Sequence, residues 1–163
     1  MTREADVFLI DGTESEQSAF ADLISGSIGE GSVFHVGYGY YADGVEEKTA
    51  VLPPNWRSRA LSTEIDAGLE IVSPRLEDLA VSKLMAWREK DIDWLRQIAS
   101  FVESEAFAFS VSEIEPDSRN VFSSQEIDRR IVSAFGAFSA PISAKLRDLR
   151  NRRSNVAATV PRP

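Results

Sequence analysis

The chain has 163 residues, contains no cysteine and carries 26 acidic against 18 basic side chains, a formal net charge of −8. This length favours one domain with its own hydrophobic core. The absence of cysteine excludes disulfides, thiolate zinc sites and cysteine catalysis, and it fits a reducing cytoplasm, where we expect the protein to reside. The first residues lack the pattern of a signal peptide, and no apolar run approaches the roughly 18 residues of a membrane span.

Charge is distributed unevenly along the chain. Residues 1–128 hold 10 basic and 25 acidic side chains, a net of −15, whereas residues 129–163 hold 8 and 1, a net of +7. The acidic part repels phosphate backbones. The basic stretch KLRDLRNRR at 145–153 suits contact with nucleic acid or an acidic partner. The alternative, which we favour, is a last helix that turns back onto the acidic body of its own chain.

Turn residues divide the first half of the chain into short strands. Each predicted strand is an apolar or β-branched run bounded by turn signals. The dipeptide Asp43-Gly44 predicts a hairpin between two of them. The predicted strands are residues 7–10, 33–41, 48–52 and 68–72.

Capping residues mark the predicted helices. Thr13 and Glu16 form the sequence pattern of a capping box, which predicts a helix over residues 14–25. Ser73 suits an N-cap and Pro74 a first helical position, so a helical element is expected over residues 74–99. Two further helices are predicted at residues 123–138 and 141–153.

Strands with an early helix, followed by helices alone, predict an α+β fold: a small mixed sheet with a helical C-terminal half. We expect an α/β core over residues 1–103, a helical region packed on it over residues 104–153, and a disordered tail over residues 154–163.

Asp91 is the unusual residue of the central helical element. On a helical wheel of about 100° per residue it falls within the apolar face, where a carboxylate is costly unless it is paired. Three interpretations stay open. Asp91 pairs with Arg88 or a lysine, or it caps a second helix if the element breaks near residues 87–90, or it orients a functional cation.

Lys83 and Lys90 fall on one border of the same apolar face. Two cations beside an apolar wall suit the phosphates of a nucleotide. The structural alternative is a pair of lysines whose stems cover the edge of a core helix. Spacing alone favours the structural alternative.

The segment SPRLEDLAVSKLMAWREKDIDWL resembles nucleotidyltransferase-like proteins of bacteria and archaea, specifically an uncharacterised branch related to the AbiEii toxins. Those proteins share a strand, a Pro-x-Asp-Leu-Ala-x-x-Lys-Leu helix and an Arg-x-Lys-Asp segment. The corresponding positions here are Pro74, 78–80, 83–84 and 88–91, with two additional residues after the proline. Residues 51–61 resemble the Leu-Pro-x-Gly-Trp stretch before that motif. The resemblance covers about residues 1–100 and implies a sheet of nucleotidyltransferase type.

The resemblance also implies a metal site at the start of the chain. In nucleotidyltransferases of this fold, two carboxylates at alternate positions of one strand hold divalent metal, which fits the preference of such ions for oxygen. The segment EADV at residues 4–7 matches that pattern, with glutamate where aspartate is usual first. Glu4 and Asp6 are therefore the implied Mg²⁺ ligands. Glu70 is a weak candidate for a third carboxylate.

The rest of the implied site lies in the central element. Lys83 and Asp91 are the implied catalytic pair, in which Lys83 contacts the phosphates of a nucleoside triphosphate and Asp91 supports it. Arg88 and Lys90 are expected to add to nucleotide binding.

The family has a helix and a Gly-Gly or Gly-Ser turn before its metal-binding strand, whereas this sequence begins three residues before Glu4. We therefore expect an N-terminally truncated member. Two functions stay open. One is transfer of a nucleotidyl group from a nucleoside triphosphate to an RNA, protein or small-molecule acceptor. The other is an inactive relative that binds a nucleotide or a partner protein, as in a toxin–antitoxin or defence locus. No membrane partner is expected.

Overall fold

A computed structural model of the chain describes residues 3–66, 68–117 and 121–159. It confirms the α+β class, because strands and two early helices come first and helices alone follow residue 73. The elements are β1 Glu4–Val7, α1 Glu14–Ile28, α2 Val33–Tyr38, β2 Tyr41–Gly44, β3 Leu61–Asp66, β4 Leu69–Ser73, α3 Leu76–Ala86, α4 Glu89–Ile98, α5 Ser104–Ile114, α6 Ser124–Phe135 and α7 Ser139–Thr159. They belong to two compact units, Met1–Ala50 and Val51–Pro163, a division that differs from the three regions we expected.

In unit 1, Met1–Ala50, two parallel strands are joined by a helical crossover. Parallel strands require such a crossover, and α1 and α2 provide it. Helix α1 packs on β2 at Gly44, where an added Cβ would stand 2.1 Å from the carbonyl oxygen of Ala21. A side chain at position 44 is therefore incompatible with this approach of helix and strand.

The predicted capping box of α1 is confirmed. The Thr13 hydroxyl accepts a hydrogen bond from the Glu16 amide at 3.3 Å, and the Glu16 carboxylate accepts one from the Thr13 amide at 2.7 Å. The helix continues three residues beyond its predicted end and reaches Ile28, with Gly29 as its C-cap. No described side chain of α1 is buried. Unit 1 thus gains local order from its cap without burying this helix.

Unit 2, Val51–Pro163, has an antiparallel hairpin of β3 and β4 followed by five helices among its described residues. Helix α5 packs against α3 and α7, while α6 packs against α4 and α7. Burial of apolar side chains by these helices supplies the main favourable term for folding. The largest fully buried apolar residues are Phe107, Phe135, Leu84, Leu95, Ile114, Ile127, Ile131, Ile142 and Leu146.

The strand prediction for residues 33–52 was wrong. Val33–Tyr38 forms α2 because the Ser32 side chain accepts from the His35 amide at 3.1 Å and Gly39, at φ 73°, ends the helix. Residues 43–44 end strand β2 instead of making a hairpin turn, and Glu47–Thr49 forms one 3₁₀ turn. The first strand occupies Glu4–Val7, earlier than the predicted residues 7–10. Local caps outweighed the alternating pattern.

Three helix predictions need correction. Ser73 pairs with Leu61 as the last residue of β4, so the next helix begins at Leu76 with Arg75 as its N-cap instead of at Ser73-Pro74. Helix α5 was not predicted, although its side chains at 107, 111 and 114 are fully buried. The tail expected to be disordered from residue 154 is helical through Thr159, and residues 160–163 lie outside the described residues.

The basic end of the chain is bound by its own acidic groups. Arg150 donates to Glu115 and Asp128, Lys145 pairs with Glu105 at 2.8 Å, and an Arg153 nitrogen donates to the Ser112 carbonyl at 2.6 Å. This confirms a last helix that folds back onto an acidic body, and these cations are not presented as an open patch. No helix within the described ranges is both long and apolar enough to span a membrane.

Candidate functional site

The element predicted over residues 74–99 breaks at Trp87. Helix α3 ends at Ala86, Trp87 adopts the left-handed conformation with φ 53° and ψ 30°, and α4 begins at Glu89. Among the described residues, Trp87 is the one non-glycine residue with positive φ. L-residues adopt this conformation at a cost, and such positions occur preferentially at functional sites. The α3–α4 corner, defined as residues 83–91, is therefore the first place to look for function.

Asp91 is buried and holds the corner together. It occupies the third position of α4, where its carboxylate accepts from the Arg88 amide at 3.2 Å. The Arg88 side chain donates to both carboxylate oxygens, from Nε at 2.6 Å and from Nη2 at 3.2 Å. Lys83 Nζ lies 3.6 Å from Oδ1. Asp91 thus pairs with two cations, which is the first of the three open interpretations. The element does break, but the N-cap of α4 is Arg88, and Asp91 completes the capping box from the third helical position.

The charge of Asp91 is set by opposing effects. Burial raises the pKa of the Asp91 carboxyl, but the hydrogen bonds from Arg88 and the positive charges of Lys83 and Arg88 outweigh burial and hold the pKa below its ordinary value. Asp91 is therefore a carboxylate at neutral pH. A fixed negative charge beneath the corner favours cations above it.

Lys83 lies on the last turn of α3 with its side chain 24% exposed. Within the described residues, its ammonium has one ion pair, the 3.6 Å contact with Asp91, which is too long for a strong hydrogen bond. Lys83 therefore has hydrogen-bonding capacity left for an anionic ligand.

Lys90 is placed differently from the prediction. The two-lysine edge required one continuous helix, whereas the break puts Lys83 on α3 and Lys90 on α4, where Lys90 is exposed. The Arg88 side chain is 56% exposed although it holds Asp91. The shared border predicted from spacing was wrong, and the roles of Arg88 and Lys90 in nucleotide binding stay predictions.

Asp78, the aspartate of the Asp-Leu-Ala motif, belongs to a buried polar network of unit 2. Arg59 donates to its two oxygens at 2.7 and 3.2 Å, and the Ser110 hydroxyl donates to Oδ1 at 2.7 Å. Arg59 also pairs with Glu113 at 2.8 Å. Because Asp78 is fully buried and its partners are satisfied, we assign it to joining the Trp56–Arg59 turn, α3 and α5.

Arg130 of α6 was missed by the sequence analysis. Its side chain is 7% exposed, and Nη1 donates to the carbonyls of Leu84 and Met85 at 2.9 and 3.0 Å. Its guanidinium lies 5.0 Å from the Trp87 ring centroid. A usable signal existed, because residue 130 falls on the same helical face as the apolar positions 127, 131 and 134. A charged residue in that position is as anomalous as Asp91.

The predicted metal ligands lie on β1 of unit 1. Glu4 and Asp6 are two positions apart and therefore share a face of the strand, and the in-register partner of Asp6 on β2 is Asp43. Burial and then the charges of Glu4, Glu30 and Asp43 raise the pKa of the neighbouring Tyr41. The face is thus strongly negative.

These oxygen donors fit Mg²⁺ in kind. This ion is commonly held by one or two carboxylates, with water and substrate phosphates completing its shell. In residues 3–66, 68–117 and 121–159, no group of three or more Asp, Glu, His or Cys side chains is arranged to hold a metal by itself. Glu70, the weak third candidate, lies on β4 of unit 2 and accepts from the Ser62 hydroxyl. Asp43 is the carboxylate that the sheet register adds to the predicted pair.

Comparison with protein families gave one match. Residues 9–131 match the model of a family described as a nucleotidyltransferase of unknown function (DUF6036). The matched span contains the α3–α4 corner and Arg130, while Glu4 and Asp6 precede it. A search of curated proteins found no match, and a search of solved structures found none either.

Proposed function

The chain belongs to this nucleotidyltransferase family, and from that membership we propose that it transfers a nucleotidyl group from a nucleoside triphosphate to a hydroxyl of an RNA, a protein or a small molecule. In this reaction the acceptor hydroxyl loses its proton to solvent and its oxygen forms a bond to the α-phosphorus. The bond from the α-phosphorus to the bridging oxygen breaks, and pyrophosphate leaves. We also propose that the chain belongs to the branch of this family that is related to the AbiEii toxins.

The observation that carries the proposal is the partly exposed Lys83 side chain, paired with a buried Asp91 that is ionised at neutral pH. Lys83 binds the phosphates, and Asp91 fixes where the ammonium stands because the break at Trp87 brings the two side chains to within 3.6 Å. A cation held in place before the ligand arrives stabilises the extra negative charge that develops on the phosphates during transfer. The exposed Arg88 and Lys90 add positive charge for binding.

We assign Glu4 and Asp6 as the ligands that would hold Mg²⁺, with Asp43 beside them on β2. When bound, Mg²⁺ polarises the α-phosphate and neutralises charge on the leaving pyrophosphate. The protein itself supplies two carboxylates at alternate positions of one strand. Such side chains point to the same face without any change of the backbone.

The proposal is tested by incubating the purified chain with Mg²⁺, each of four labelled nucleoside triphosphates and a cell extract as the source of acceptors. We expect label on a macromolecule or small molecule, and loss of that label in Lys83→Ala. Lys145→Ala is the matched control, since it removes the same charge from a lysine that pairs with Glu105 on α5. Equal labelling by the two variants, or no labelling by the unaltered chain, contradicts transferase activity.

A second candidate function is an inactive relative that binds a nucleotide or a partner protein, as in a toxin–antitoxin or defence locus. It is favoured by one observation: Glu4 and Asp6 lie outside residues 9–131, the span that matches the family model. Binding of the four triphosphates separates the two functions. An inactive binder retains its affinity in Glu4→Gln and Asp6→Asn and needs no Mg²⁺, whereas an enzyme loses Mg²⁺-dependent affinity in both variants.

A further inference from the structure

We infer that Arg130 is a positioning residue: it clamps the α3–α4 corner from α6 and so fixes Lys83 and Asp91 for the nucleotide. The inference rests on the proposed function and goes beyond it by assigning a role to a residue on a different helix. Three contacts of Arg130 support it: one with the end of α3, one with the Trp87 ring, and one with Glu126 of its own helix.

The first contact ends helix α3. The last carbonyls of a helix have no partner within it, and buried ones require a donor from elsewhere. Arg130 Nη1 supplies that donor to the carbonyls of Leu84 and Met85, the two residues that directly follow Lys83. The position of the Lys83 backbone is therefore tied to α6.

The second contact holds the left-handed residue. The Arg130 guanidinium lies over two aromatic rings, 5.0 Å from the centroid of Trp87 and 3.7 Å from that of Phe122. Cations over aromatic faces are attractive, and more so when desolvated. The left-handed backbone conformation of Trp87, with φ 53°, is energetically unfavourable for a non-glycine residue. The contact with Arg130 offsets part of that cost and keeps the chain turning toward Asp91.

The third contact orients the guanidinium itself. Glu126, one helical turn before Arg130, accepts from Nε at 2.8 Å. A planar fork can donate to a carboxylate on one edge and to carbonyls on the other while its face stacks on rings, and a lysine cannot do all three. Arginine is thus the residue type that this corner requires.

A purely structural arginine and a positioning arginine predict different results for four variants. Arg130→Met removes the clamp and keeps most of the volume, and Arg130→Lys keeps the charge without the fork. Arg152→Met is the matched charge control, because Arg152 pairs with Asp148 within α7 and its side chain is 75% exposed. Ile131→Val is the stability control, because it trims a fully buried neighbour on α6 that is not part of the clamp.

The measurements are the Kd for ATP, GTP, CTP and UTP with Mg²⁺, and amide exchange over residues 83–91. We expect Arg130→Met to raise the Kd of the best-bound triphosphate about tenfold, because a displaced binding group loses alignment. Exchange at the corner should accelerate in the same variant, with Arg130→Lys between it and the unaltered chain. Arg152→Met and Ile131→Val should change the Kd by less than about twofold.

The inference is overturned if Arg130→Met binds like the unaltered chain, or if Ile131→Val weakens binding by the same factor. Should Arg130→Met fail to fold, Arg130→Lys carries the comparison, and an unchanged Kd in it counts against the clamp. If the unaltered chain binds none of the four triphosphates, the proposed function fails. The exchange measurement then decides on Arg130 alone, since unaltered exchange at the corner in its variants removes the clamp as well.

Discussion

The two units of this chain hold their shape by different means. Residues 1–50 carry 10 acidic and 2 basic side chains, a net of −8, whereas residues 51–163 carry 16 of each and are neutral. Every buried apolar residue of the main core cluster lies in unit 2, while Ala42 is the buried apolar residue of unit 1 within the described ranges. Unit 2 is stabilised by apolar burial, and unit 1 by its strand pair and helix cap.

The contrast extends to the charged groups. In unit 2 the buried carboxylates Asp78 and Asp91 are each held by an arginine, so its charges maintain structure. In unit 1 the carboxylates on β1 and β2 share one face without a basic side chain opposite them in the strand register. Charged groups therefore maintain packing in unit 2, and we propose that the acidic face of unit 1 binds a cation.

The largest expected effect comes from the core of unit 2. Phe107 is fully buried and its ring centroid lies 4.8 Å from that of Phe135. Replacing it by alanine leaves a cavity and should lower the free energy of unfolding by about 3–5 kcal/mol in a denaturant titration. Leu23→Ala in α1, at a residue 63% exposed, should change it by less than about 0.5 kcal/mol. Equal losses for the two variants would break the comparison.

An intermediate effect is expected at Asp91. Asp91→Asn leaves Arg88 and Lys83 without their carboxylate and should lower the free energy of unfolding by about 1–3 kcal/mol at neutral pH. Because the folded pKa lies below the ordinary value of 3.8, the charged group stabilises the fold above that value, and this stabilisation is lost as pH falls through the folded pKa.

The difference between unaltered and Asp91→Asn chains should therefore be constant above about pH 5 and shrink at lower pH. Unfolding titrations at a series of pH values measure it. A difference that grows on acidification would show that Asp91 is not held as a carboxylate, and the cation site above it would lose its physical basis.

The smallest effect concerns the cap of α1. Thr13→Ala removes the acceptor for the Glu16 amide and should cost about 1 kcal/mol, seen as faster amide exchange in Glu14–Ile28. Ser15→Ala is the control, because it alters an exposed serine of the same turn that is not the cap. If both variants exchange like the unaltered chain, the cap does not support unit 1, and its order must come from elsewhere.

The sequence allowed prediction of features that short-range chemistry determines. The capping box at Thr13 is present, and a helix begins at Ser124, next to the predicted start at residue 123. The break near residues 87–90 was a condition of one open interpretation, and periodicity could not decide for it, because the apolar pattern continues through Trp87. A single strained residue leaves no trace in a helical wheel.

The missed features depend on contacts between distant residues. Helix α5 was not predicted as an element of its own, and its Phe107 packs against Phe135 of α6, a contact between residues far apart in the sequence. Arg130 reads as an ordinary basic residue until the ends of α3 and the ring of Trp87 are placed beside it. Asp43 lies opposite Asp6 because β1 and β2 are parallel and in register. This pairing could not be predicted while residues 43–44 were interpreted as a turn. The family, in contrast, was predictable because the motif is contiguous.

Gly44 has a consequence for how freely this protein can vary. An alanine there would place its methyl carbon 2.1 Å from the carbonyl oxygen of Ala21 and 2.3 Å from its Cα, and backbone atoms cannot rotate away as a side chain can. The substitution would displace α1 from β2, whose partner strand carries Glu4 and Asp6. Position 44 therefore tolerates glycine alone. Through the packing of α1 on β2, this residue determines where the acidic face of unit 1 lies.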